Sequence, residues 1–236
     1  EKIPVDGYSK SKKVFPFRPD MMRKLFDSPM FTGCEGIRGK KRTRPGPNVF
    51  QDTLYWSFLF GATVGHRMSE VAQALTANVE EAIGPNGECI VGIFIMDAKN
   101  EYSQRVIIVH PQLLALGFIE YVEQRRRSSK EHLFDLPAGG AKKLSERLND
   151  YIDEVIVDDR RYVFHSLRQE FADRSEVDVG VDLSKKIMGH ARGRLYGLGA
   201  PLHHAAAELN KIDMSFVDWE RLRTAAGRSA AAAEAA

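Results

Sequence analysis

Apolar positions recur at helical spacing along most of the chain, and the period changes once. Between Asp20 and Asp27, Met21, Met22, Leu25 and Phe26 fall on one side of a short helix. From about Val49 to Thr63 the pattern is apolar nearly all round, through Phe50, Leu54, Tyr55, Trp56, Phe58, Leu59 and Phe60. A helix of that kind lies buried at a domain centre. Gly65 interrupts it, and helical spacing resumes from about Arg67 to Leu75. The period then shortens: Cys89 to Met96 and Arg105 to Val109 read as strands, with Val79 to Ile83 as a third. Pro85-Asn86-Gly87 is a turn signal, and residues 97–104 read as the turn between the last two strands. Helices are expected again at Pro111 to Arg127, Lys142 to Val155, His165 to about Arg174 and Leu183 to Met188. Two more follow, from Pro201 to Ile212, with Leu202, Leu209 and Ile212 apolar, and from Val217 to Ala225.

A mostly helical chain with one small antiparallel sheet near its middle is an α+β domain. The expected organisation is an arm or linker over residues 1–17, one domain over 18–228, and a flexible alanine-rich tail over 229–236. The 236 residues suffice for a core without disulfides or metals. Hydrophobic residues at 43% and charged residues at 28% exclude a wholly disordered chain. No apolar run approaches the roughly 18 residues of a membrane span. The polar, lysine-rich start does not read as a signal peptide. Cys34 and Cys89 are too few for a disulfide scaffold or a four-thiolate zinc site, and two free thiols suit a reducing cytoplasm.

The net charge of +2 says little, but its distribution says more. Lys10 to Arg44 holds eleven Lys or Arg against three acids, Asp20, Asp27 and Glu35. Arg38, Lys40, Lys41, Arg42 and Arg44 stand together without an acid. Such a run neutralises phosphates, or else forms a solvated loop. The Arg125-Arg126-Arg127 run ends a helix, where cations suit the dipole, and is a second candidate for backbone contact with DNA.

Five short features carry the candidate chemistry: Gly65-His66-Arg67-Met68-Ser69-Glu70; Lys99, ahead of Ser103-Gln104-Arg105-Val106; His165-Ser166-Leu167-Arg168; Met188-Gly189-His190; and Tyr196-Gly197. Each alone has an ordinary structural explanation. Arg67 and Glu70 suit an i,i+3 ion pair, Lys99 a solvated turn, and His165 with Arg168 a polar helix face. His190 suits a helix C-terminus and Tyr196 a core position.

Their order is another matter. Arg, then Lys on a hairpin turn, then H-x-x-R, then G-H, then Tyr resembles the catalytic domain of the tyrosine recombinases, in their phage-integrase branch. The likeness runs from about Phe17 to Arg223. It includes the apolar helix before G-x-R-x-x-E and the S-x-R-V after Lys99, with 32 residues from Arg67 to Lys99 and 22 from Arg168 to His190. Gln169 stands where the family often has His, and Val64 and His66 where Thr and an apolar residue are usual. Tyr196 follows His190 by six residues, roughly one helical turn fewer than is usual.

The resemblance implies the recombinase (DNA breaking-rejoining) fold and a site-specific integrase. Arg67 and Arg168 would clamp the scissile phosphate, since guanidinium is always charged and offers a planar donor fork. His165 and His190 would bond the same phosphate or manage the nucleophile's proton. Lys99 would protonate the 5′-oxygen, and Tyr196 would attack phosphorus to give a 3′-phosphotyrosyl intermediate. No metal or cofactor is implied. The implied partners are double-stranded DNA, further copies of the chain in a tetramer on DNA, and accessory DNA-bending proteins. The implied setting is the cytoplasm of a bacterial or phage-infected cell. With no room for an N-terminal helical domain before Phe17, the chain is expected to be the catalytic fragment of a longer integrase. The short His190–Tyr196 interval keeps open a catalytically impaired DNA-binding relative. A topoisomerase of the same chemistry is a more distant alternative.

Overall fold

The computed structural model describes residues 14–84, 86–95, 105–189 and 202–234. Helix α1, Pro19–Phe26, has proline in its first turn, an acid (Asp20) near its N-terminus and Arg23 and Lys24 in its last turn, each suited to its place. It buries Met21, Met22, Leu25 and Phe26. A short α2, Pro29–Thr32, follows, then the basic loop with a 3-10 turn at Gly39–Lys41.

The central helix α3 runs Thr53–Val64, and every residue of it except Leu54 is buried. It starts four residues later than the apolar pattern suggests because Asp52 caps it, its carboxylate accepting the Tyr55 N–H at 3.1 Å. Trp56 and Phe60 both meet Phe118 edge-on, and Phe58 meets Phe164. Helix α4, Met68–Gln73, follows after three residues.

Strands β1 (Val79–Ile83), β2 (Cys89–Ile95) and β3 (Arg105–Ile108) form an antiparallel sheet in the order β1-β2-β3. Ile93 sits between Val79 and Ile107, and Ile95 opposite Arg105. The single helix expected over 111–127 is two, α5 (Pro111–Ala115) and α6 (Phe118–Arg127). Gly117, at φ +91°, breaks the run in a conformation that only glycine adopts readily. Helix α7, Gly140–Tyr151, continues into a π-helical turn over Ile152–Ile156. Helices α8 (His165–Val179) and α9 (Val181–Ile187) pack together; α8 carries His165-Ser166-Leu167-Arg168, and α9 ends just before Met188-Gly189.

The chain closes with α10, Leu202–Leu209, and α11, Trp219–Glu234. The tail expected to be flexible from 229 is helical through Glu234. Leu222 and Ala225 bury α11 in cis, where it packs against α2 and pairs Arg221 with Asp27 at 2.8 Å. The end of the expected arm is also packed. Phe17 is buried, the Phe15 N–H donates to the Arg161 carbonyl, and the Arg161 guanidinium lies over the Phe15 ring. Both cysteines are free thiols, Cys34 buried and Cys89 exposed. Among the described residues no helix is long and apolar enough to cross a membrane.

His110 ties the C-terminal helix to the sheet side of the fold. It caps α5, Nδ1 accepting the Gln112 N–H at 3.2 Å, and its ring stacks on Trp219 of α11. Burial, helped by the positive charge of Arg174, pushes its pKa down to about 4 from 6.5. The unfolded chain therefore binds the proton more readily, and stability falls as pH drops from 6.5 towards 4. The loss by pH 4 is about 3 kcal/mol. Urea unfolding at pH 7 and at pH 4 will show it. His110→Asn, which keeps a capping side chain, is expected to remove that share of the pH dependence.

Candidate active site

The site begins with a glycine. Gly65 ends α3 in the left-handed conformation, φ +57°, and turns the chain so that His66 and Arg67 lead directly into α4. His66 is buried between the rings of Phe60 and Phe164, so it forms part of the wall behind the site. Arg67 is the N-cap residue of α4 and is held twice by Glu70. Its backbone N–H donates to Oε2, and Nη1 donates to Oε1 at 2.9 Å. Glu70 is buried while the Arg67 side chain is 38% exposed, so a buried carboxylate braces a partly solvated guanidinium. The remaining fork nitrogen, Nη2, donates to the Gly189 carbonyl at 3.2 Å.

Arg168 arrives from the first turn of α8. The entry to that helix is fixed by the Phe164 N–H donating to Asn149 Oδ1 at 2.8 Å and the Val163 N–H donating to Ser166 Oγ at 3.0 Å. Arg168 is 3% exposed. Its Nη1 donates to the Gly65 carbonyl and its Nη2 to the Met188 carbonyl at 2.7 Å. The two arginines, 101 residues apart in sequence, thus reach adjacent carbonyls of one turn, Met188–Gly189, at the end of α9.

His165, one helical turn before Arg168, is exposed. Its pKa is lowered, first by partial burial and then by the charges of Arg168 and Arg67. It is therefore neutral at neutral pH, with one ring nitrogen free to accept while the other donates. Two guanidiniums and an imidazole that senses both make a cationic cluster, with Glu70 the carboxylate bonded to Arg67. Such a cluster can bind an anion with one planar fork exposed and another buried behind it.

Of the residues singled out in the sequence, Arg67, His165 and Arg168 come together here. Lys99, His190 and Tyr196 lie outside the described residues. Lys99 falls within the connection from β2 to β3, and His190 directly follows the turn that both arginines hold. Sequence reasoning missed the Gly65, Met188 and Gly189 carbonyls, because a backbone acceptor has no residue signature.

The basic loop needs a correction. Arg38, Lys40, Lys41 and Arg44 are exposed, with Arg44 3.8 Å from Glu35. Arg42 is 3% exposed and paired with Asp52 at 2.9 Å, so it is not available as a contact to DNA. Of the Arg125–Arg127 run only Arg125 is buried, while Arg126 and Arg127 are exposed. Arg125 forks onto Asp135, and Arg126 donates to the Thr76 and Val79 carbonyls. Among the described residues no three His, Cys, Asp or Glu gather as a metal site. No family model matches this chain, and no curated protein or solved structure matches it either.

Proposed function

We propose that this protein is a tyrosine recombinase of the integrase type, with the fold of that family, which cuts and rejoins duplex DNA through a covalent phosphotyrosyl intermediate. The observation that carries the reading is the meeting of Arg67, Arg168 and His165 beside the turn leading into His190. The resemblance asks for these side chains at one phosphate, and they come from two segments about a hundred residues apart, the N-cap of α4 and the first turn of α8, which nothing in local sequence would bring together.

The chemistry follows from the residue types. Arg67 and Arg168 hold the two non-bridging oxygens of the scissile phosphate and stabilise the charge that grows on them. Tyr196 attacks phosphorus and loses its phenolic proton. The 5′-oxygen leaves and takes a proton from Lys99. The phosphorus ends bonded to the tyrosine, and the 3′-phosphotyrosyl bond preserves the energy of the phosphodiester. Rejoining reverses the steps, with a 5′-hydroxyl as the nucleophile, so no nucleotide is consumed. Neutral His165 donates to the phosphate or relays the tyrosine proton.

In this scheme the arginines do the charge neutralisation, so cleavage is expected to persist in excess chelator. Lys99→Ala is expected to slow strand cleavage by about 10²- to 10³-fold with DNA affinity nearly unchanged. A large loss of affinity would instead make Lys99 a backbone contact.

A second reading, a non-cleaving DNA-binding relative, is favoured by two observations. Arg168 commits two of its nitrogens to main-chain carbonyls, and Tyr196 follows His190 by only six positions. Trapping of a covalent adduct separates the two readings.

A further inference from the structure

The loop between α2 and α3 is tied shut from within. Cys34 and Asn48 exchange N–H···O bonds at 2.7 and 3.1 Å, the Glu35 N–H donates to the Arg44 carbonyl at 3.1 Å, and the Gly36 N–H donates to that of Lys41 at 3.2 Å. Thr43 Oγ1 reaches Glu154 at 2.8 Å and fastens the outside of the loop to the π-helical turn. At the centre lies Arg42, stacked over Phe50 at 5.4 Å and donating Nη2 to the Phe50 carbonyl and to Asp52, both at 2.9 Å. Asp52 is also the cap of α3. One carboxylate therefore couples the loop to the first turn of the central helix.

We infer that Arg42 is a positioning residue that pre-forms this loop as a rigid cationic clamp, whose exposed Arg38, Lys40, Lys41 and Arg44 engage the phosphates of the same duplex that enters the arginine site. The inference rests on the proposed DNA substrate and adds a second contact region and the residue that shapes it. The loop is anchored at one end of α3, and Gly65, which Arg168 holds, lies at the other. Twelve residues of helix separate the two ends by about 18 Å. That is about five base pairs at roughly 3.4 Å each. A closed loop on a rigid rod has little entropy left to lose when a polyanion binds. The sequence shows five equivalent cations. The structure divides them into four that face solvent and one that holds the others in place.

The test is binding of a 30-base-pair duplex over a range of salt, alongside amide hydrogen exchange of the free protein. Replacing Arg38, Lys40, Lys41 and Arg44 together by Ala is expected to weaken binding by about tenfold or more. It should also reduce the slope of log K against log salt by about 2 to 4. Arg42→Gln is expected to weaken binding about three- to tenfold with the slope unchanged, and to lower the protection of the Cys34 and Asn48 amides. If Arg42→Gln does not fold, Asp52→Asn, which keeps a capping side chain, is expected to show the same pattern. A slope reduced by about 0.9 in Arg42→Gln would make Arg42 itself a phosphate contact and overturn the assignment. So would unchanged affinity and protection in that variant, or wild-type binding by the fourfold variant. None of these measurements involves cleavage, so they report on the clamp whether or not Tyr196 attacks DNA.

Discussion

Arg168→Ala is expected to abolish strand cleavage, by about 10³-fold or more, and to destabilise the fold in the same stroke. The two effects share one cause. The guanidinium is buried and ties the end of α3, through Gly65, to the end of α9, through Met188. Each charge-assisted bond to a buried carbonyl contributes about 1.5–3 kcal/mol, so about 3 kcal/mol or more of stability goes with the side chain. Arg168→Lys keeps the charge but cannot reach two carbonyls on different segments with a planar fork, and is expected to recover little. Arg67→Ala makes the comparison informative. Its side chain is partly solvated, so its stability cost should be smaller while the loss of cleavage stays comparable. Urea unfolding and single-turnover cleavage on the same three variants provide the check. Near-normal cleavage by Arg168→Ala would remove it from the site.

Gly65→Ala is expected to be the most damaging single methyl that can be added near the site. At φ +57° an L side chain costs about 1–2 kcal/mol. The new Cβ would stand 2.7 Å from Phe171 Cδ1 and 3.1 Å from Met188 Sδ. Overpacking of that order adds about 1–3 kcal/mol. A total near 3 kcal/mol lowers Tm by roughly 6–12 °C in a chain of this length. Relief of the clash would push Met188 and the Gly65 carbonyl away from Arg168, so cleavage should fall about 10²-fold even well below Tm. A Tm within 2 °C of wild type would mean that the turn is softer than the close packing around Gly65 implies.

Much of the architecture was legible because the responsible signals are local. The all-round apolar run is α3, the change to β-rich runs is the sheet, and Arg67, His165 and Arg168 stand out by motif and order. What was not legible depends on partners distant in sequence or on the backbone. Arg42 looks like its neighbours until Asp52, ten positions on, is folded against it. The split of α5 from α6 turns on the sign of φ at Gly117, which a glycine in sequence does not declare. The helical form of the tail has a different origin. Alanine is the best helix former, and the run after Ser229 continues a helix already anchored by Leu222 and Ala225. In the site, the Gly65, Met188 and Gly189 carbonyls hold the arginines, and nothing in residue type marks them.

The central claim is that Tyr196 becomes covalently joined to DNA at a phosphate held by Arg67 and Arg168. The most direct measurement incubates the protein, in excess chelator, with a pool of nicked duplexes of randomised sequence. In these duplexes the cleaved end diffuses away and the intermediate is trapped. Denaturing gels then reveal any adduct, and peptide mapping locates it. The expected result is an adduct on Tyr196 that is absent from Tyr196→Phe and from Arg168→Ala. Tight DNA binding with no adduct at any salt or sequence, or an adduct on another residue, would contradict the claim.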